Sequence, residues 1–211
     1  MNFSSFSLPS TLQRTIDETR MARHDLRHHF TVLSGYASNN DMEAIREYLS
    51  SWQTSLLPEA VCSYCKNPAV NNVLGYFSRL AKDNGISIDI SAKLQEPLII
   101  PEPEFCVLLS NLLENAIEAC QRQAGSSQIH VRLLQTCPSL LSLTVDNTCP
   151  EPPKWQNNSL HSSKHNGTGI GTRSVKNIAA RYHGDARFEW KNGMFYVSVL
   201  LNPQGEDQFE A

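Results

Sequence analysis

No run of apolar residues in this 211-residue chain approaches the roughly 18 needed to cross a bilayer as a helix. The N-terminus, MNFSSFSLPS, lacks the charged region and apolar stretch of a secretory signal. An excess of positive charge is missing too. Eighteen Lys and Arg stand against 21 Asp and Glu, with both signs spread along the chain. That leaves no basic footprint, so nucleic acid is not an expected partner. Cysteine shows no pattern: Cys62, Cys65, Cys106, Cys120, Cys137 and Cys149 are scattered. Cys106 and Cys120 lie in apolar helical surroundings and are expected as buried thiols, which suits a reducing cytoplasm. A zinc set from the Cys62/Cys65 pair and His161/His165 would span about 95 residues, against roughly 12–20 in compact zinc modules. The βαβ context that a thioredoxin-like Cys-x-x-Cys requires is absent as well. The length allows one large domain, or an ordinary domain plus a small one.

What is present is organised around Asn111 to Cys120, NLLENAIEAC. Leu109, Leu112, Leu113, Ala116 and Ile117 recur three and four apart, which predicts an amphipathic helix. Asn111 and Asn115 stand at i and i+4, so both amides leave the same side one turn apart. Amide oxygens are hard ligands suited to Mg²⁺, which takes few protein oxygens beside waters and phosphates. Two Asn on a helix can equally be surface or capping residues.

Residues 1–9 read as a ragged leader. From Ser10 a seam of Leu12, Ile16, Thr19, Arg23, Leu26, Phe30, Leu33 and Ala37 alternates spacings of four and three. Ser38 to Asp41 is a turn that offers an N-cap, and Met42, Ile45, Leu49, Trp52 and Leu56 continue the spacing. The pattern predicts an antiparallel hairpin over 10–57. A lone hairpin buries only one face, so a homodimeric four-helix bundle is expected. A linker over 58–66 follows, then a second domain over 67–202 and a frayed tail over 203–211. Within it we expect a helix at 69–82 and a strand at Ile86–Ser91. A short strand at Leu98–Ile100 leads into the Asn111 helix. Further strands are expected at 128–134 and 140–145, a lid-like loop at 149–166 and a helix at 170–182. A hairpin turning at Asn192-Gly193 closes the domain. The mixture is α+β, a helical hairpin followed by a two-layer sandwich.

Asp146 follows the apolar strand Leu141–Val145. A carboxylate there can accept from an exocyclic amine, with Thr148 adding a bond directly or through water. By itself Asp-Asn-Thr after a strand is an ordinary turn. Gly167-Thr168-Gly169-Ile170-Gly171 stands just before a helix, where glycines let backbone N–H groups approach phosphate. It is not the dinucleotide fingerprint, because Thr172 stands at the sixth position, and no Gly-Lys-Ser/Thr makes it a P-loop. In this order the three pieces resemble the gyrase-type (GHKL) ATP-binding domain, with the Bergerat sandwich fold, and within it the sensor histidine kinases. The resemblance spans about 66–202. It implies Asn115 as Mg²⁺ ligand, Asn111 nearer the γ-phosphate, Asp146 as adenine reader and Gly167–Gly171 as the phosphate loop. Cys65-x-Asn67-Pro-Ala-Val-Asn71 resembles the start of this domain in Agr-type kinases. The chain departs from the pattern in three places. Asp-Asn-Thr-Cys replaces Asp-x-Gly-x-Gly, Glu118 stands where many have Lys, and Thr172 replaces Leu. Lys164 and Arg173 are therefore the candidate phosphate-facing cations.

The first helix holds Arg23-His24-Asp25-Leu26-Arg27-His28-His29. A histidine there can be a plain polar-face residue. The seam, however, leaves His24 flanking and reachable, neutral imidazole is a good nucleophile near pH 7, and Asp25 can hold its ring. Arg-His-Asp resembles the phosphoacceptor box of Agr- and Lyt-type kinases, which implies His24 as the phosphorylated residue with His28 as the alternative. The implied function is a sensor histidine kinase catalytic region, a homodimer using ATP and Mg²⁺. It would autophosphorylate on His24 and pass the group to a response-regulator receiver aspartate. A scaffold without activity and a serine kinase of the anti-sigma type are the rivals. The expected place is the cytoplasm, with no membrane contact in this chain and room for a membrane sensor upstream.

Overall fold

The computed structural model describes residues 10–51, 63–123, 125–153, 155–156, 159–160 and 170–203. The chain divides into two compact units, Met1–Ala60 and Val61–Ala211. Among the described residues no helix is long and apolar enough to cross a membrane.

In the first unit, helix α1 (Ser10–Ser38) runs the length of the predicted seam. The turn that follows places Asn40 at φ 54°, a conformation Asn tolerates. Asp41 then caps α2 (Met42–Ser50) by accepting the Ala44 N–H at 3.0 Å. The two helices meet through aromatic groups. The Tyr48 hydroxyl lies 2.7 Å from His29 Nδ1, and the Tyr36 and Tyr48 rings pack edge-on at 6.1 Å. Leu26, Phe30, Met42 and Leu49 stay exposed, and α2 has no buried residue. Trp52 and Leu56 lie outside the described residues.

The second unit is a sheet with helices on one face. Asn67 caps α3 (Pro68–Asp83), accepting the Val70 N–H at 3.0 Å, and Pro68 at its first turn is preset for a helix. Val70, Leu74, Phe77 and Ala81 form its buried stripe. Strand β1 (Ile86–Lys93) runs parallel to β2 (Ser127–Cys137), and helix α4 (Glu102–Gln121) connects them. The expected strand at Leu98–Ile100 is not formed. Pro97 and Pro101 bracket it and donate no N–H, so the segment is held by the burial of Ile100 instead of by strand pairing. Strand β3 (Leu140–Thr148) pairs antiparallel with β2. A two-residue pair, β4 (Trp155–Gln156) with β5 (Ser159–Leu160), interrupts the region expected as pure loop. Helix α5 (Ile170–Arg181) leads to β6 (Asp185–Lys191) and β7 (Met194–Leu201), which turn at Asn192 (φ 52°) and Gly193 (φ 76°) as the Asn-Gly pair predicts. The sheet order is β1-β2-β3-β7-β6.

Alternation settles which side each sheet residue takes. Ile129, Val131, Leu133, Leu141, Leu143, Val145, Val197, Val199 and Leu201 are buried and face the helices. Phe105, Leu108, Leu109, Leu112, Leu113, Ala116, Ile117 and Cys120 of α4 meet them. A Cβ at Gly184 would run into the Leu200 carbonyl, so only glycine lets the α5–β6 turn pass β7 this closely.

Candidate functional site

The α4 stripe that faces the sheet leaves Asn111 and Asn115 on its open side. Asn111 is half-buried and donates from Nδ2 to the Ser174 hydroxyl of α5 at 3.3 Å. This contact joins α4 to the first turns of the helix that follows the glycine loop. Asn115, one turn on, is exposed, and nothing among the described residues bonds its amide. Beside the Asn111–Ser174 link, α4 and α5 enclose a cleft of about 570 Å³ lined in part by Val107, Arg173, Ser174, Asn177 and Arg181. Arg181 is taken by Glu104 at 2.8 Å. Arg173 is exposed and forms no ion pair among the described residues, so its charge faces the cleft unmatched. Glu118 is within 3.5 Å of Arg122.

The strand end differs from the expectation. β3 does not stop at Val145 but continues through Thr148, so Asp146 lies within it, opposite His130 and Tyr196. With Leu141, Leu143 and Val145 turned toward the helices, Asp146 points to the opposite face of the sheet. There burial raises its pKa above the usual carboxylate range, while His130 and Arg132 pull it back down. The residue on the helix side is Asn147, 2% exposed. Its Nδ2 donates to the Thr148 carbonyl at 2.9 Å, which leaves Oδ1 as an acceptor. The Cys120 thiol of α4 reaches the same Thr148 carbonyl at 3.8 Å, placing Asn147 beneath the end of the Asn111–Asn115 helix. The Thr148 hydroxyl is also occupied, accepting the Gln128 N–H at 2.9 Å. The sequence held a signal for Asn147: continuing the apolar alternation from Leu141 by two puts residue 147, not 146, on the core side. Ser174 had no such signal.

Residues 102–202 match the family model described as GHKL domain. Over this span the chain is similar to GHKL domains. No curated protein matches the chain. Among solved structures, the histidine kinase domain of a blue-light activated histidine kinase from Erythrobacter litoralis superposes with TM-score 0.50 at 13% identity, covering 83% of this chain and 86% of that one. The histidine kinase AdeS of Acinetobacter baumannii gives 0.47 at 15%, covering 85% and 97%. The mycobacterial sensor histidine kinase MprB gives 0.47 at 18%, covering 64% and 93%. The α+β sandwich is thus the GHKL fold, and the two asparagines of α4 sit within its matched span. Of the glycine loop, Gly167, Thr168 and Gly169 lie outside the described residues, as does Lys164. Ile170 and Gly171 open α5.

In the other unit, His24 is exposed on α1. Its Nδ1 lies 3.5 Å from Oδ1 of Asp25, so adjacent residues do make the contact. Its Nε2 lies 3.2 Å from Nε2 of His28.

Proposed function

We propose that this chain is the catalytic region of a sensor histidine kinase that transfers the γ-phosphoryl of ATP to His24 and then to an aspartate of a response-regulator receiver domain. The observation behind this reading is the pair Asn111 and Asn115, one turn apart on the open side of α4 in a GHKL domain, with Asn111 tied to Ser174 at the start of α5. An exposed, unbonded amide at Asn115 fits a hard cation that takes few protein oxygens. When bound there, Mg²⁺ would neutralise charge on the phosphate oxygens. Arg173 supplies the cation that Glu118 does not, with Lys164 the second candidate. The backbone of Gly167–Gly171 would cradle the phosphates with the N-terminus of α5 behind it. Adenine reading passes from Asp146 to Asn147, whose Oδ1 on the helix side accepts from the exocyclic amine.

With the Asp25 carboxylate 3.5 Å from Nδ1, the reacting tautomer of His24 carries its proton on Nδ1 and its lone pair on Nε2. Attack forms the Nε2–P bond and breaks the bond to the ADP oxygen, and the positive charge gained by the ring is balanced by Asp25. The exposed seam on α1 and α2 is covered by a second copy, making residues 10–57 the dimerisation and phosphoacceptor hairpin of a cytoplasmic region.

Incubation with γ-labelled ATP and Mg²⁺ tests the reading. Acid-labile label is expected on the wild type and on neither His24→Gln nor Asn115→Ala. Acid-labile label on His24→Gln would move the acceptor to His28. Acid-stable label would indicate a serine kinase, and no label a scaffold.

A further inference from the structure

His24 and His28 are four residues apart on α1, so both rings leave one face of the helix, one turn apart. Both are exposed. Their Nε2 atoms are 3.2 Å apart and the rings meet edge-on with centroids 4.4 Å apart. Two neutral imidazoles can share one hydrogen bond across that gap. The same separation suits a metal. Zinc–imidazole bonds are about 2.0–2.1 Å, and two of them at a tetrahedral angle hold their nitrogens roughly 3.2–3.4 Å apart. The two nitrogens therefore stand at the separation a single tetrahedral ion requires, and the exposed rings need to turn apart, with any proton on either Nε2 moved to Nδ1, for both lone pairs to meet on it. The other nitrogen of His24 lies 3.5 Å from the Asp25 carboxylate. A carboxylate in that place fixes the tautomer of a metal-bound imidazole and raises its basicity.

We propose that His24 and His28 form a two-ligand site for a divalent transition ion of the imidazole-binding class, Zn²⁺ being the type, and that the bound ion masks His24 Nε2 and so blocks phosphorylation. Among the described residues no group of three metal ligands occurs, so solvent completes the coordination. Arg23 and Arg27 on the same helix lower the affinity, which makes the site a reversible one. Mg²⁺ does not compete, because it takes oxygen and gives up its waters reluctantly. The metal site rests on the two rings alone. Its inhibitory effect rests on His24 being the phosphoryl acceptor.

Calorimetric titration of the whole chain with Zn²⁺, without nucleotide, separates the two parts. His24→Gln and His28→Gln should each lose one equivalent of zinc, or bind it at least tenfold more weakly, with helix content by circular dichroism unchanged. Co²⁺ should give the visible absorption of a four-coordinate ion in the wild type and not in either variant. Stoichiometry and affinity unchanged in both variants would overturn the site, whatever Cys62 and Cys65 bind. In the labelling reaction, buffered free Zn²⁺ should suppress acid-labile label on the wild type with a midpoint at the calorimetric Kd, and chelation should restore it. Full labelling at saturating zinc would leave the metal site standing and overturn the block, whereas acid-labile label retained on His24→Gln would overturn His24 as the acceptor.

Discussion

Leu26 and Phe30 of α1 are 55% and 66% exposed, whereas Leu109 and Leu113 of α4 are wholly buried. All four belong to amphipathic stripes of similar spacing. The difference is what each unit has to put over its stripe. In the second unit three helices close over the inner face of a five-stranded sheet, so the core is complete within one chain. In the first, the described residues are one long helix and one of nine residues, and these two leave the apolar stripe exposed. The stability of the hairpin should therefore depend on protein concentration, and that of the GHKL unit should not.

The largest test of that contrast compares Leu109→Ala with Leu26→Ala. Leu109→Ala should cost about 2–5 kcal/mol in urea unfolding of the GHKL unit. Leu26→Ala should change that unfolding by no more than about 0.5 kcal/mol, while raising the dimer dissociation constant measured by light scattering. Equal losses in the GHKL unit would erase the distinction. A smaller effect concerns the two faces of β3. Asn147→Ala should weaken ATP binding by about 1–2 kcal/mol, roughly 5- to 30-fold in Kd by calorimetry, and Asp146→Asn should leave it unchanged. Because the folded pKa of Asp146 is raised, its contribution to stability is present below the ordinary carboxylate pKa and lost as pH rises through the folded one. Asp146→Asn should thus be neutral or stabilising at pH 7. Loss of ATP binding in Asp146→Asn would restore that residue as the adenine reader.

The smallest effect sharpens how closed the core is. Burial pushes the Cys120 thiol up to about 11, so it should resist alkylation at pH 8. The Ser139 hydroxyl holds Cys137 below the usual thiol range, and of the five described cysteines it should react first, as mass spectrometry of timed iodoacetamide samples would show. The neutral Cys120 thiol contributes stability below the ordinary thiol pKa that is lost as pH rises through about 11. Thermal stability should therefore fall in that window and fall less in Cys120→Ala.

The sequence by itself determined the elements whose cause is local. The 3.6-residue period made α4 and placed Asn111 and Asn115 on one side of it. Asn67 and Asp41 capped α3 and α2 through their own side chains, and Asn192-Gly193 turned the last hairpin because both residues accept positive φ. Tertiary structure decided the rest. Leu98–Ile100 has strand-like residues but no neighbour to pair with between its prolines. β3 runs on to Thr148 because β2 pairs with it as far as Asn147 and β7 as far as Thr148, and the added residues follow the pleat, which turns Asp146 outward and Asn147 inward. The Ser174 contact of Asn111 spans 63 positions of chain, and no local pattern encodes a meeting of that kind. The 3.2 Å approach of His24 and His28 falls between these cases: the helix period sets the pair on one face, and the rotamers adopted on α1 bring the two nitrogens together.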